Sequence, residues 1–182
     1  MSKTNAAAGK ALTSSSHFEL FGLEPAFGLD TAALERAYRE IQSQVHPDRF
    51  AHAGDAERRA SLQWTTRVNE AFQVLKNPVS RARYLLELQG VDVAFETNTA
   101  MPPEFLMQQM ELRETLEDAK DAKALDELRR NLSSERRSLE AQIAQAIDAE
   151  KNYKGAADLV RKLQFLHRFD EEIDEAYESL DG

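Results

Sequence analysis

The chain has 182 residues, 42% of them hydrophobic and 30% charged, enough for one ordinary domain or two small ones with modest cores. It contains no cysteine, which excludes disulfide scaffolds, thiolate zinc sites and cysteine nucleophiles. The formal net charge of -9 is uneven: residues 1–99 carry about -1 and 100–182 about -8, whereas 31–83 is basic at about +3, so an acidic second half is a poor phosphate-tracking surface.

Seven Gly and five Pro, with abundant Ala, Leu, Glu, Arg and Gln, point to an all-α fold. No run approaches the roughly 18 consecutive apolar residues of a spanning helix, so a soluble protein is expected. Residues 1–16 (MSKTNAAAGKALTSSS) lack the apolar core of a secretory signal, and they read as a disordered N-terminal tail. With two Lys, no acid and no Arg, they resemble an organellar transit peptide only weakly.

Ser16 followed by Glu19 is a capping-box signature for a short helix that ends at Gly22, with Phe18, Phe21 and Leu23 as its apolar face. Asp30 is a suitable N-cap for a second helix carrying Leu34, Ala37, Tyr38, Ile41 and Val45 at helical spacing. Arg36 and Arg39 fall outside that stripe, toward solvent or a partner. His46-Pro47 stops the helix, because a residue before Pro is pushed out of the α region. A polar loop follows, then a third helix from about Asp55 to Lys76 with Ala60, Trp64, Val68, Ala71, Phe72 and Leu75 on one face. A fourth helix is expected from Ser80 to about Gln89, carrying Ala82, Leu85, Leu86 and Leu88 and closing at Gly90.

The stretch GVDVAFETNTAMPP has no helical periodicity and ends in Pro-Pro, which makes 90–102 a linker and places a domain boundary near 90. Beyond it, helical patterns at about 103–119, 122–151 and 155–180 are joined by short connections, as in an antiparallel three-helix bundle. At 100° per residue Phe105, Leu112, Leu116 and Ala119 form a core stripe, whereas Leu106, Met107 and Met110 point roughly 100 to 200° away, among Glu111, Glu114 and Glu117. Phe165 lies about 120° off the stripe through Val160, Leu163 and Ile173. Apolar side chains in such positions either dock on a neighbouring domain or form a partner site, and periodicity alone does not choose. The expected core comprises Phe18, Leu34, Tyr38, Ile41, Val68 and Phe72 in the first unit, and Leu112, Leu116, Leu132, Ile143, Leu163 and Ile173 in the second.

His46-Pro47-Asp48, extended by Arg49 and Phe50 and set between two helices, is a specific combination when VNEAFQVLKNPVSRARYLL follows. Over 17–88 the chain resembles a J-domain, a helical hairpin with flanking helices through which co-chaperones stimulate a DnaK-type ATPase. FELFGLEP at the front, FLMQQMELRETLE and AADLVRKLQFLHRFDE extend the resemblance to 17–182, and the chain is similar to the HscB family of J-type co-chaperones of iron-sulphur cluster biogenesis.

That resemblance implies a J-domain over 17–89 and a C-terminal bundle over 103–182, with no catalytic residue of its own. His46, Pro47, Asp48, Arg39 and Arg36 would engage the specialised DnaK-type chaperone HscA and activate its ATPase. Leu106, Met107, Met110, Glu111, Glu114 and Phe165 would contact the cluster scaffold protein IscU. Met110 stands where relatives commonly have Leu, a nearly volume-conserving exchange. Some eukaryotic relatives carry an N-terminal cysteine-rich module that this sequence lacks, so a bacterial, cytoplasmic protein is expected, with the mitochondrial matrix as the alternative. His17, His46, His52 and His167 show no metal-ligand spacing, Glu171-Glu172 reads as a solvated face, and no cofactor, nucleic-acid or membrane partner is expected. Two further readings are a general J-protein whose acidic bundle serves other clients, and a helical nucleic-acid binder or enzyme. The last lacks a Gly-rich phosphate loop, a nucleophile motif and a basic face on the bundle.

Overall fold

The computed structural model describes residues 16–45, 54–93 and 101–180, and among these every regular element is helical. The described residues fall into two compact units that divide between Arg81 and Ala82, inside the fourth helix and ahead of residue 90. His46, Pro47, Asp48, Arg49, Phe50 and His52, and most of the 90–102 stretch, lie outside the described residues.

In the first unit α1 (His17–Leu20) opens on the capping box: Glu19 N donates to Ser16 Oγ at 3.2 Å and Ser16 N donates back to Glu19 Oε2 at 2.9 Å. It closes at Gly22, whose φ of +64° is the left-handed turn glycine adopts without strain, with Leu23 N donating to Phe18 O. Helix α2 (Thr31–Val45) is capped as its sequence predicts, Asp30 Oδ1 accepting from Ala32 N and Ala33 N. Helix α3 (Asp55–Lys76) packs on α2 through Leu34, Val68, Ala71, Phe72 and Leu75, and Phe18 of α1 completes this core. Tyr38 and Ile41 are only half-buried, for a polar reason in the first case. The Tyr38 ring stacks on Phe72 with centroids 4.0 Å apart, while its hydroxyl donates to Asn69 Oδ1 and accepts from Gln42, which holds the ring's tip at the surface.

Ala60 does not face the core; Ser61 does, and is only 4% exposed. The stripe through Trp64, Val68, Ala71, Phe72 and Leu75 has its centre about 35° from residue 61 and about 65° from residue 60 at 100° per residue. Helix phase outweighs residue type here. Helix α4 (Pro78–Leu88) starts two residues ahead of the expected Ser80, because Asn77 Oδ1 accepts from Val79 N and Ser80 N and Pro78 suits the first helical position. Arg81 is buried in the first unit; its Nη1 donates to Leu75 O at 2.7 Å, and its guanidinium lies 5.0 Å from the Phe27 ring centroid. Leu88, on the expected apolar face of α4, is exposed.

The second unit is a three-helix bundle of α5 (Pro103–Asp118), α6 (Ala122–Ala144) and α7 (Tyr153–Leu180). Contacts between α6 and α7 run in opposite directions along the chain, Arg129 meeting Asp174 and Arg136 meeting Asp170, so these helices are antiparallel. Between α5 and α7 they run together, Phe105 meeting Phe165 and Arg113 meeting Glu172, so the order is up, down, up. The core is built chiefly from α6 and α7: Leu125, Leu128, Leu132, Leu139 and Ile143 against Val160, Leu163, Leu166, Phe169 and Ile173. Helix α6 runs into a π-helical turn, Gln145–Ala149, which accounts for the apparent length of its sequence pattern. Asn152 then caps α7 by accepting from Gly155 N at 3.0 Å, and a Cβ on Gly155 would clash with the Asn152 amide.

On α5 Leu112 and Leu116, expected in the core, are half-buried, and the one buried side chain of that helix is Phe105. Two inner positions a turn apart at the far end of a short helix are less enclosed than their angular phase implies, since phase says nothing of how closely the neighbouring helix approaches.

Candidate partner-binding surfaces

Two surfaces correspond to the predicted sites. On α2 Arg36 and Arg39 are exposed, as their positions off the Leu34 stripe require. Each is steered by a long ion pair: Arg36 lies 3.8 Å from Asp30 Oδ2, and Arg39 lies 4.0 Å from Glu35 Oε2. Glu35 is shared with Lys76 of α3 at 3.6 Å. Exposed pairs at such distances are worth about 0–1 kcal/mol, so both guanidiniums remain available to a stronger carboxylate partner. The C-terminal end of α2 is fixed differently. Val45 O accepts from Ser61 Oγ at 2.7 Å and from Thr65 Oγ1 at 3.2 Å, and Val45 is the residue immediately before His46.

The second surface lies on α5. Leu106, Met107 and Met110 are 37%, 60% and 62% exposed, with Glu111 and Glu114 exposed beside them. Leu106 and Met110 are one helical turn apart and form a continuous apolar strip, while Phe105, adjacent in sequence, is only 3% exposed and points inward. Phe165 of α7 is half-buried rather than fully outside. It meets Phe105 edge-to-face with centroids 5.5 Å apart and stacks on Phe169 at 5.8 Å, so it reaches the strip through Phe105. Lys162, one turn earlier on α7, places its ammonium 5.5 Å from the Phe105 ring centroid, and Gln108 donates to Glu135 of α6 at 2.5 Å. Neither contact has a signal in the sequence, because each joins helices through side chains that no periodicity singles out. Arg113 and Glu172 add a 3.8 Å pair further along. Together these contacts fix α5 with its apolar strip outward and its carboxylates alongside, a surface suited to an apolar patch with a basic border.

His17 is half-buried at the start of α1, and its imidazole pKa is lowered, first by burial and then by the Arg67 guanidinium, with Glu70 opposing. His167 lies 3.9 Å from Glu171 one turn away on α7. No helix among the described residues is long and apolar enough to cross a membrane.

Family models match both units: a DnaJ domain over residues 16–84, and the HSCB C-terminal oligomerisation domain over 101–174. A protein of Paraburkholderia phymatum named "Co-chaperone protein HscB homolog" is 53% identical over 170 residues, covering 92% of this chain and 97% of the relative. The chain belongs to the HscB family of co-chaperones. Among solved structures, the chaperone HscB of Vibrio cholerae superposes with a TM-score of 0.81 at 38% identity, covering 91% of this chain and 99% of that one. Human co-chaperone HscB gives 0.85 at 28% identity, over 88% of this chain and 81% of that one. This HscB-family chain is therefore a J-domain co-chaperone, whose class of partner is a DnaK-type chaperone and whose role is regulatory rather than enzymatic. The DnaJ match spans His46, Pro47 and Asp48 as well as the described helices on either side.

Proposed function

We propose that this protein binds an IscU-type iron-sulphur cluster scaffold through its C-terminal bundle, delivers it to an HscA-type chaperone and stimulates that chaperone's ATPase. The observation that carries this reading is the exposed strip of Leu106, Met107 and Met110 with Glu111 and Glu114 at its side, in a chain that also holds a J-domain. Three large apolar side chains in water on one helix face are unfavourable unless a partner covers them, each being worth about 1–2 kcal/mol as a buried anchor. The carboxylates orient that partner and select one with a basic margin. Phe165 supports the strip from beneath through Phe105, so it belongs to the site even where its ring is covered.

In the J-domain, the sequence His46-Pro47-Asp48 supplies an imidazole and a carboxylate directly after α2, the helix that carries the exposed Arg36 and Arg39. Charge-assisted hydrogen bonds from these groups favour one state of the chaperone over another, and that difference in affinity accelerates ATP turnover without this chain attacking any bond. The bacterial relatives and the lack of a spanning helix among the described residues support action in the bacterial cytoplasm. Co-elution with a purified IscU-type scaffold on size exclusion tests the reading. A complex that dissolves on replacing Leu106 and Met110 by Ala supports it, and separate elution at micromolar concentrations favours a general J-protein with other clients.

A further inference from the structure

We infer that Met107 and Met110 form a reversible oxidation site, at which a neutral hydroperoxide converts the apolar strip of α5 from a partner-binding to a non-binding surface. This rests on the reading of that strip as the scaffold-contacting surface. The chain holds four methionines and no cysteine, so its thioethers are the sulfur that a mild oxidant meets. They are not equivalent. Met107 and Met110 are 60% and 62% exposed, whereas Met101 is half-buried and Met1 lies outside the described residues. Residues three apart on a helix are neighbours, so the two exposed side chains sit together on one face of α5. Glu104, Glu111 and Glu114 are exposed around them, a field that disfavours anionic oxidants and leaves hydrogen peroxide, which is neutral, unhindered.

The step is a two-electron oxygen transfer. A sulfur lone pair attacks one peroxide oxygen, the S–O bond forms as the O–O bond breaks, and the second oxygen leaves as water after taking up the proton of the first. Reduction by a dithiol through methionine sulfoxide reductases returns methionine and yields water and a disulfide. The sulfoxide oxygen is an acceptor with no proton to give. Around Met107, Pro103, Glu104, Met110 and Glu111 carry no side-chain donor at neutral pH, and near Met110 the guanidinium of Arg113 is turned to Glu172 at 3.8 Å. A partner's apolar patch closing on the oxidised strip would therefore bury two acceptors without donors, which opposes association. The bundle is unaffected, because the inward hold of α5 is Phe105, at 3% exposure, and neither methionine.

The test is the affinity of the full-length protein for an IscU-type scaffold, by titration calorimetry before and after hydrogen peroxide. The peroxide is removed before scaffold is added, peptide mass spectrometry locates the added oxygens, and circular dichroism follows helicity. Met107→Leu/Met110→Leu, which keeps apolar volume and has no thioether in the strip, and Met101→Leu are each compared with their own untreated samples. In wild type, Met107 and Met110 should gain oxygen before Met101, affinity should fall at least tenfold at full conversion with helicity unchanged, and methionine sulfoxide reductases should restore it. Met101→Leu should show the same loss on oxidation, and the double variant less than twofold. Unchanged wild-type affinity at full conversion would overturn the inference. So would an equal loss in the double variant, its disappearance in Met101→Leu, or a loss that follows the unfolded fraction. If untreated wild type did not bind scaffold, the reading of the strip would fail and the inference with it, whereas binding that survives oxidation strikes the inference alone.

Discussion

The rings of Phe105 and Phe165 meet edge to face with centroids 5.5 Å apart, and this contact ties the exposed strip of α5 to the core of the bundle. Phe165 continues inward onto the fully buried Phe169, so three aromatic rings bridge surface and interior. On the proposed function, a residue in that place is expected to affect partner binding and stability together. Met110, 62% exposed, is expected to affect binding alone, and Leu106, 37% exposed, binding with a smaller share of stability.

Replacing Leu106 and Met110 by Ala should therefore weaken scaffold binding at least tenfold, each anchor being worth about 1–2 kcal/mol, at a stability cost of about 1 kcal/mol that comes from the covered part of Leu106. Phe165→Ala should weaken binding and also cost about 2 kcal/mol of stability, below the 3–5 of a fully buried Phe because the ring is half-exposed. Titration calorimetry and urea denaturation on the same samples separate the two effects. Equal midpoints for all variants would show that Phe165 bears no load in the bundle.

Asp48→Asn should abolish stimulation of the chaperone while helicity and scaffold affinity stay at wild-type values. Asn matches Asp in size, so the exchange should change stability little, whereas the bias on the partner's equilibrium depends on that charge directly. Full stimulation by the variant would remove the segment from the mechanism.

Asn77 accepts from Val79 N at 2.9 Å and Ser80 N at 3.1 Å, satisfying two of the donors that α4 leaves open at its start. Asn77→Ala should cost about 1 kcal/mol, and Asn77→Asp should restore most of it. A thermal melt of the three proteins checks both, and no difference between Ala and wild type would mean that water replaces the cap at no cost.

The lowered pKa of His17 makes stability pH-dependent in a definite direction. The unfolded chain takes up this proton near pH 6.5 and the folded chain only at lower pH, so between those values the unfolded state binds more protons. The stabilisation is present above about pH 6.5 and is lost as pH falls toward the folded pKa. His17→Gln should flatten the stability profile between pH 7 and 5 relative to wild type, measured by chemical denaturation at fixed ionic strength. A profile of unchanged slope would assign the dependence to other groups.

Much of this was legible in the sequence, and the exceptions have physical causes. Ser16/Glu19, Asp30, Gly22 and Gly90 mark helix ends by chemistry that acts within a few residues, so these ends are readable locally. The outward placement of Leu106, Met107 and Met110 follows from 100° per residue alone, and so does the exposure of Arg36 and Arg39. Ala60 faces outward and Ser61 inward because helix phase outweighs residue type. The half-burial of Leu112, Leu116 and Phe165 depends on how closely one helix approaches another. So do the Gln108 bond to Glu135, Lys162 over Phe105, and the bridge from Ser61 to Val45. Contacts of this kind join residues distant in sequence, and no local pattern encodes them.

The central claim is that one chain couples scaffold capture to chaperone activation. Steady-state ATP turnover by an HscA-type chaperone, measured with this protein alone, with an IscU-type scaffold alone and with both, tests it most directly. The account predicts a rate with both that exceeds the sum of the separate stimulations, and a return to the scaffold-alone rate when Asp48→Asn replaces the wild-type protein. A rate with both no greater than that sum, or one that Asp48→Asn leaves intact, would contradict it.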